Sequence, residues 1–527
     1  MKPSFGLLLL VSGILVCASS LGGEPPRPNV IFIIADDMYR DMFNCTAEGK
    51  GLNLTPTLDR LAAEGVVMEG QHIVSPVCTP SRYNCLTGRY ASRARNPVFT
   101  RMTERGGMSL VVWNTQLLPE DLTLPKLLQK AGYTTGTVGK HHCIAWPKLE
   151  PTSSTDDARD PVVAEKLRAN GRRMESALQA LGFDFATNII SGNLDERYPE
   201  NAGVHNLDWL VAGALDFIDQ SKDQPFFLYF ASSVAHSPSQ PQRSWNADPR
   251  ATAYGFLDRA LDVLPPRDTL PKRIREAGIT GGRLPENILW LDDAVAALMK
   301  RLELHGLADN TLVFFFNDNG QDAKGSIYQG GTHCPSIIWR KGGFPCGQRS
   351  DVRVTNLDFA PTILDLVGAD APRDFFDGRS FREVLQGKTN RVHDALFFEL
   401  GFTRGVLKDN WKYIALRYPP NPETIVDLRK PERGKGTKRP DPASPTDLTP
   451  RPPFGHIGGN NNEDRPKKTY PAYWDADQLY DLSADPKEQH NLAKDPAHAA
   501  KLDELQRALR RHLETLPGGF AELKPAG

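Results

Sequence analysis

Three uninterrupted apolar runs, Asn29–Ile34, Pro225–Phe230 and Thr311–Phe316, constrain this chain more than any other feature. A run without polar alternation needs cover on both faces, which is the situation of a strand inside a mostly parallel sheet. Tyr133–Val138 and Ser336–Trp339 are weaker runs of the same kind. Between them lie helical patterns at Pro56–Glu64, Leu124–Ala131, Asp208–Gln220 and Glu286–Leu304. The last places Ile288, Leu291, Val295, Leu298 and Leu302 at helical spacing. Strand and helix alternating in this way predict an α/β fold. Polar residues close each strong run: Asp36 and Asp37 after the first, His236 beyond the second, Asp318 and Asn319 after the third. Open α/β sheets bind ligands outside the carboxyl ends of their strands, so these distant residues are expected to meet in one crevice.

With 527 residues the chain has room for two domains. Residues 1–22 read as a signal peptide, with Lys2 ahead of an apolar Leu7–Val16 and small residues Ala18, Ser19 and Ser20 at a cleavage point. The apolar stretch is short for a membrane span. The expectation is an exported protein, periplasmic or extracellular (lysosomal or secretory in a eukaryote), without stable membrane insertion. A formal net charge of −1 provides no basic excess for nucleic acid. Texture changes near Arg391, dividing a large domain over 26–390 from a smaller unit over 391–527. The smaller unit offers strands at Ala395–Leu400 and Trp411–Leu416 and a helix over about Ala497–Leu516. Within it, 417–473 is dense in Pro, Gly, Asn and Lys and reads as a long surface loop. Setting aside Cys17 and Cys78, five cysteines remain, so at least one is unpaired; Cys334 and Cys346 are near enough in sequence to bridge a loop, which spacing alone does not settle. Asn44-Cys45-Thr46 and Asn53-Leu54-Thr55 match the glycosylation triplet.

The chemistry centres on Cys78-Thr79-Pro80-Ser81-Arg82, followed by Leu86-Thr87-Gly88-Arg89. A helix is expected from Ser81, bringing backbone N–H groups and the positive end of a dipole toward residue 78. Asp36, Asp37, Asp318 and Asn319 supply hard oxygen donors, a set that selects Ca²⁺ or Mg²⁺ over zinc. Gly139-Lys140-His141-His142 follows Gly132-Tyr133, His236-Ser237-Pro238 follows the Phe-rich run, and Lys324-Gly325 precedes Tyr328-Gln329-Gly330-Gly331. Gln478-Leu479-Tyr480-Asp481-Leu482, with Asp485-Pro486, Glu488 and Asn491-Leu492, closes the series.

Taken together, these motifs resemble the type I, formylglycine-dependent sulfatases of the alkaline phosphatase superfamily, over about Pro28 to Ala493. The resemblance implies a large α/β domain with a central, mostly parallel sheet flanked by helices, and a smaller C-terminal α+β domain with a short antiparallel sheet. It implies that a formylglycine-generating enzyme converts Cys78 to 3-oxoalanine, whose hydrate is the nucleophile, and that Asp36, Asp37, residue 78, Asp318 and Asn319 hold Ca²⁺, with Mg²⁺ the alternative. Arg82, Lys140, His142, His236 and Lys324 are implied as catalytic partners, with His236 the candidate acid for the leaving oxygen. His141 stands where the family carries Trp or another bulky residue, and which of the two histidines faces inward stays open. Gln329 replaces the family's Glu, which we expect to be a structural change. The implied activity is hydrolysis of a sulfate monoester, with a sulfated glycan as the expected substrate and a sulfated small molecule as the alternative. A phosphomonoester, phosphodiester or phosphonate hydrolase on the same scaffold and a non-catalytic sulfated-glycan binder are the rival readings. Specificity is expected in loops over 91–121, 142–198, 238–283 and the 417–473 insertion, with Arg93, Arg95, Arg101 and Arg105 able to meet acidic groups of a polymer.

Overall fold

The computed structural model describes residues 27–419, 422, 454–458 and 460–523. The signal peptide expected at 1–22 and most of 417–453 lie outside them. Eight strands build the main sheet: β1 Asn29–Ala35, β2 Val66–Met68, β3 Thr134–Lys140, β4 Phe185–Ile190, β5 Phe226–Ala231, β6 Thr311–Asn317, β7 Ser336–Trp339 and β8 Gln348–Ser350. Their order is β8-β2-β7-β6-β1-β5-β3-β4. The five strands β6-β1-β5-β3-β4 run parallel, and β7 is antiparallel to both neighbours. The three apolar runs are therefore the three adjacent central strands β6, β1 and β5, each buried along its whole length.

Helices cover both faces. On one side pack α1 (Pro56–Glu64), α6 (Leu207–Ser221) and α7 (Pro285–Leu304); on the other pack α2 (Cys78–Thr87), α4 (Leu124–Lys130) and α8 (Phe359–Leu366). Phe32 of β1 meets Phe359 of α8 edge-on with 5.2 Å between ring centroids. α3 (Pro97–Gly106) lies beyond the C-terminus of α2. The stretch expected as loop over 142–198 holds a nineteen-residue helix, α5 (Pro161–Gln179), and strand β4. Asp160 starts α5 by accepting hydrogen bonds from the Val162 and Val163 amides. Helix α2 begins at Cys78 rather than Ser81. Pro80 falls in the first turn, where a backbone N–H has no acceptor within the helix, so proline is accommodated.

The smaller unit is a four-stranded antiparallel sheet, β9 Leu396–Leu400, β10 Thr403–Lys408, β11 Trp411–Leu416 and β12 Asp477–Asp481, in that order. A C-terminal helix, Ala499–Leu513, packs on β10 and β11. Leu396, Phe398, Leu400, Ile414 and Tyr480 join Val77, Ile327 and Tyr328 of the large domain in one buried cluster. The small sheet therefore presses on the residue before Cys78 and on the loop that carries Lys324. The described end of the insertion is not loose surface: His456, Ile457, Glu463 and Tyr473 are buried, and the helix Asp464–Thr469 follows.

Cys45, Cys78, Cys85, Cys143, Cys334 and Cys346 are free thiols, with Cys334 buried and Cys346 exposed, so the 334–346 loop is not bridged. Asn53 is buried and its amide donates to the Asp41 carbonyl, which removes it as a surface glycosylation acceptor in the folded chain. Among the described residues, no helix is long and apolar enough to cross a membrane.

Candidate active site

Each central strand delivers a polar residue at its carboxyl end, and these residues meet around Cys78. Asp36 and Asp37 follow β1, Lys140 ends β3, His236 follows β5, and Asp318 and Asn319 follow β6. Cys78, first residue of α2, places Sγ 3.6 Å from Asp36 Oδ1, 4.0 Å from Asp37 Oδ1 and 3.5 Å from Lys324 Nζ. Arg82, one turn along α2, donates from Nε and Nη2 to Asp318 Oδ2 at 3.1 and 2.9 Å and from Nη1 to the Lys140 carbonyl at 3.0 Å. Lys140 Nζ lies 2.5 Å from Asp36 Oδ2, and Lys324 Nζ lies 2.6 and 2.7 Å from the two oxygens of Asp37. Asp36, Asp318, Arg82 and Lys140 are each at most 1% exposed.

Local backbone geometry aims these groups. Gly139 interrupts the pairing of β3 with β4 through a bulge and has φ of +93°; a Cβ there would overlap the carbonyl oxygen of Ala231. Glycine is thus required immediately before Lys140. Asp37 has φ of +60°, a left-handed conformation that Asp tolerates better than most residues. Its amide donates to Asp318 Oδ1 at 3.2 Å.

Three carboxylates face three permanent cations in a dry pocket. Burial alone would raise Asp36, but Lys140, His236 and Arg82 outweigh it and hold the carboxyl well below the usual range. Burial likewise works against charge on Asp37, and Lys324 and His236 overcome it. For Asp318, burial and the neighbouring Asp36 carboxylate prevail over Arg82, pushing it up to about 7. Burial pushes the Cys78 thiol far above its ordinary value and so keeps it neutral. An unmodified thiol here is a poor nucleophile, because the thiolate is the reactive form.

The histidines separate cleanly. His141 points away from the cluster: it hydrogen-bonds Thr137 Oγ1 at 2.7 Å and packs against Phe183 and Tyr229. The Nδ1 of His142 is buried without a partner among the described residues, and burial together with Lys140 lowers its pKa well below the ordinary value. His236 Nδ1 bonds the Ser237 carbonyl at 2.8 Å, leaving Nε2 3.4 Å from Asp37 Oδ2. The sequence reading misses Asn193, whose Oδ1 accepts from Lys140 Nζ at 2.7 Å. It sits just beyond β4, beside Lys140 through strand pairing, and no spacing motif marks it. Of the arginines in 91–121, Arg93 is paired with Asp377 and Arg95 with Asp121.

The donor set suits a hard divalent cation. Asp36, Asp37, Cys78 and Asp318 each place one ligand atom within 4.8 Å of the others. Asn319 donates from Nδ2 to Asp37 and Asp318, while its Oδ1 is buried with no donor among the described residues. An amide oxygen and three carboxylates in one buried cluster match the all-oxygen preference of Ca²⁺ and Mg²⁺.

Comparison with known proteins places this geometry. A family model described as Sulfatase matches residues 28–369, and one described as N-sulphoglucosamine sulphohydrolase, C-terminal, matches residues 320–431. The N-acetylgalactosamine-6-sulfatase of Mus musculus is 29% identical over 399 residues, covering 70% of this chain and 67% of that protein. A solved structure from the metabolism of multiple glycosaminoglycans by Bacteroides thetaiotaomicron has 22% identity and a TM-score of 0.60, covering 93% of this chain and 99% of that one. A phosphonate monoester hydrolase from Silicibacter pomeroyi has 18% identity and a TM-score of 0.56 over 93% of this chain and 96% of its own. At those identities the two solved structures share the fold, and the fold alone does not separate sulfate from phosphonate chemistry. The Sulfatase match spans well over half of the sequence and includes every residue gathered on Cys78, and on that ground the chain belongs to the sulfatase family of sulfuric ester hydrolases.

Proposed function

We propose that this protein is an exported sulfatase that removes a sulfate monoester from a carbohydrate, with residue 78 working as the hydrate of formylglycine. The observation that carries the reading is the convergence of Asp36, Asp37, Asp318, Arg82, Lys140 and Lys324 on the Cys78 side chain. Three carboxyl groups and three cationic side chains meet there. Asp36, Asp37, Asp318 and Asn319 would hold a divalent cation, Ca²⁺ or Mg²⁺, which would supply positive charge toward an anionic ester. Lys140 and Lys324 flank residue 78 and supply fixed donors for sulfate oxygens without reorganisation.

One hydroxyl of the hydrate loses its proton to water, and its oxygen forms a bond to sulfur as the bond from sulfur to the sugar oxygen breaks. The leaving oxygen takes a proton from His236, whose Nε2 lies beside Asp37. The second hydroxyl then loses its proton, the carbon–oxygen bond to the sulfated oxygen breaks, and sulfate departs as the aldehyde re-forms. Cys78 is 1% exposed in the folded chain, which favours conversion by a formylglycine-generating enzyme before the domain closes. The carbohydrate substrate class is supported by the name of the N-acetylgalactosamine-6-sulfatase relative.

The test is sulfate release from defined sulfated saccharides, alongside aryl sulfate and aryl phosphate, using protein whose residue-78 peptide mass shows conversion. Release by the converted protein and none by Cys78→Ala is expected. Converted protein that hydrolyses no sulfate ester, or prefers aryl phosphate, overturns the reading. A Cys78→Ala protein that retains the full biological effect points instead to a non-catalytic binder.

A further inference from the structure

A cavity of about 610 Å³ lies at the opposite end of the helix that begins with Cys78. Tyr83 and Thr87 of α2 line it, with Arg89 just beyond. At ~1.5 Å of rise per residue, Thr87 is ~13 Å along the helix from Cys78. None of the residues gathered on Cys78 lines this space. Its volume falls in the range of small-molecule sites.

One cation in it is uncommitted. The Arg89 guanidinium lies over the Phe375 ring at 4.7 Å, and its Nε is buried with no acceptor among the described residues. The other two arginines of the lining, Arg93 and Arg95, are held by Asp377 and Asp121. Thr103 Oγ1 is also buried without a partner among the described residues. A buried donor lacking an acceptor is costly, so such a group calls for an explanation. Phe99, buried in the core, closes the floor, and the exposed Glu104 and Glu120 stand at the rim.

We infer that this cavity is a second ligand site, for a small saccharide bearing one acid group. The acid pairs with Arg89, the sugar ring packs on Phe375, and its hydroxyls donate to Glu104 and Glu120. An aliphatic acid fits less well, because its chain would strip water from both rim carboxylates without replacing those hydrogen bonds. A polyanion meets one free cation and several carboxylates.

The test is calorimetry and ligand-observed NMR with glucuronate, which has no sulfate ester to hydrolyse, on the full chain. A dissociation constant on the order of 1 mM is expected. Arg89→Met should weaken it ~10-fold, the loss of one charge-assisted pair. Phe375→Ala should weaken it several-fold, whereas Lys324→Met at the catalytic centre should not. Thermal melts establish that each variant is folded, and Arg89→Lys, which keeps the charge but not the planar fork, replaces Arg89→Met if that chain does not fold. Binding that is equal in Arg89 and Phe375 variants, that is lost in Lys324→Met, that glucose matches, that octanoate displaces, or that is absent overturns the inference.

Discussion

A Cβ on residue 139 would overlap the Ala231 carbonyl, and the backbone there has a positive φ that only glycine adopts freely. Lys140 follows immediately, so the bulge that needs glycine also sets the direction of a cation against Asp36. Gly139→Ala is therefore expected to cost more than about 2 kcal/mol, combining left-handed strain with a backbone collision. It should also lower kcat/KM by ~100-fold through misplacement of Lys140. Urea unfolding and aryl sulfate kinetics check the two effects, and a variant with normal stability and rate removes this account of the bulge. Lys324 makes a different demand. Its ammonium group contacts both oxygens of Asp37, so Lys324→Ala leaves a buried carboxylate without its main partner. Breaking one side of such a pair costs about 3–5 kcal/mol. Lys324→Arg, which keeps the charge, should recover most of the stability but not the rate. Equal melting of the alanine variant and the parent would show that Asp37 finds another partner.

At the scale of elements, the start of α1 shows how distant sequence caps a helix. Thr55, at the N-cap position, makes no side-chain cap bond. Instead Asp292, inside α7, accepts from the Thr57 and Leu58 amides at 3.0 and 2.8 Å. Asp292→Ala should cost about 1–2 kcal/mol, the usual value of a lost cap. Burial pushes the Asp292 carboxyl up to about 6 from an ordinary 3.8. The native state therefore holds this proton more tightly than the unfolded chain does. Stability from this group is full below about pH 4 and declines as pH rises toward about 6. The stability advantage of the parent over Asp292→Asn should thus be larger at pH 4 than at pH 7, by at most ~3 kcal/mol for two units. A difference that is flat with pH, or grows as pH rises, contradicts the assignment. No motif reveals this cap, because the donor and acceptor segments are more than two hundred residues apart. The same physics decides what else is legible. The central strands declare themselves because burial on both faces removes polar residues entirely. β10 escapes notice because Arg404 and Gly405 read as interruptions, yet Arg404 is buried, bonding the Gly401, Thr403 and Ser109 carbonyls. Helix α5 escapes because Arg168, Arg172, Arg173 and other polar residues mask a narrower buried stripe of Leu167, Met174 and Leu178. At the site, Cys78, Asp36, Asp37, Asp318 and Lys324 are legible because each ends a strong strand or sits in a spaced motif. Asn193 is not, since only strand pairing brings it to Lys140.

A buried charge pair of the small domain meets the large domain at residue 329, and its chemistry accounts for the glutamine there. Lys412 of β11 and Glu488 are both fully buried, with Nζ and Oε1 3.0 Å apart. Glu488 Oε2 accepts from the Gln329 amide at 2.6 Å, and Gln329 Oε1 lies 3.3 Å from Lys412 Nζ. Residue 329 thus belongs to the same turn as Lys324 and Tyr328, and Tyr328 in turn bonds Gln478 of β12 at 2.6 Å. A glutamate at the half-buried position 329 would set a second carboxylate against a single ammonium group. Gln329→Glu should therefore destabilise by about 1–3 kcal/mol, and Glu488→Gln by a similar amount, since it removes the charge partner of Lys412. In the double variant one carboxylate again faces one lysine, and the side-chain carbonyl introduced at position 488 can still accept from the backbone amide of residue 329. Its stability should return to within about 1 kcal/mol of the parent, giving a coupling energy of ~1.5 kcal/mol or more between the sites. Because the turn carries Lys324, each single variant should also lose rate on aryl sulfate at temperatures well below its melt, and the double should regain it. Purely additive losses would mean that residue 329 is read by something other than the Lys412–Glu488 pair. Full activity in a destabilised Gln329→Glu chain would mean that the small domain does not set the position of Lys324.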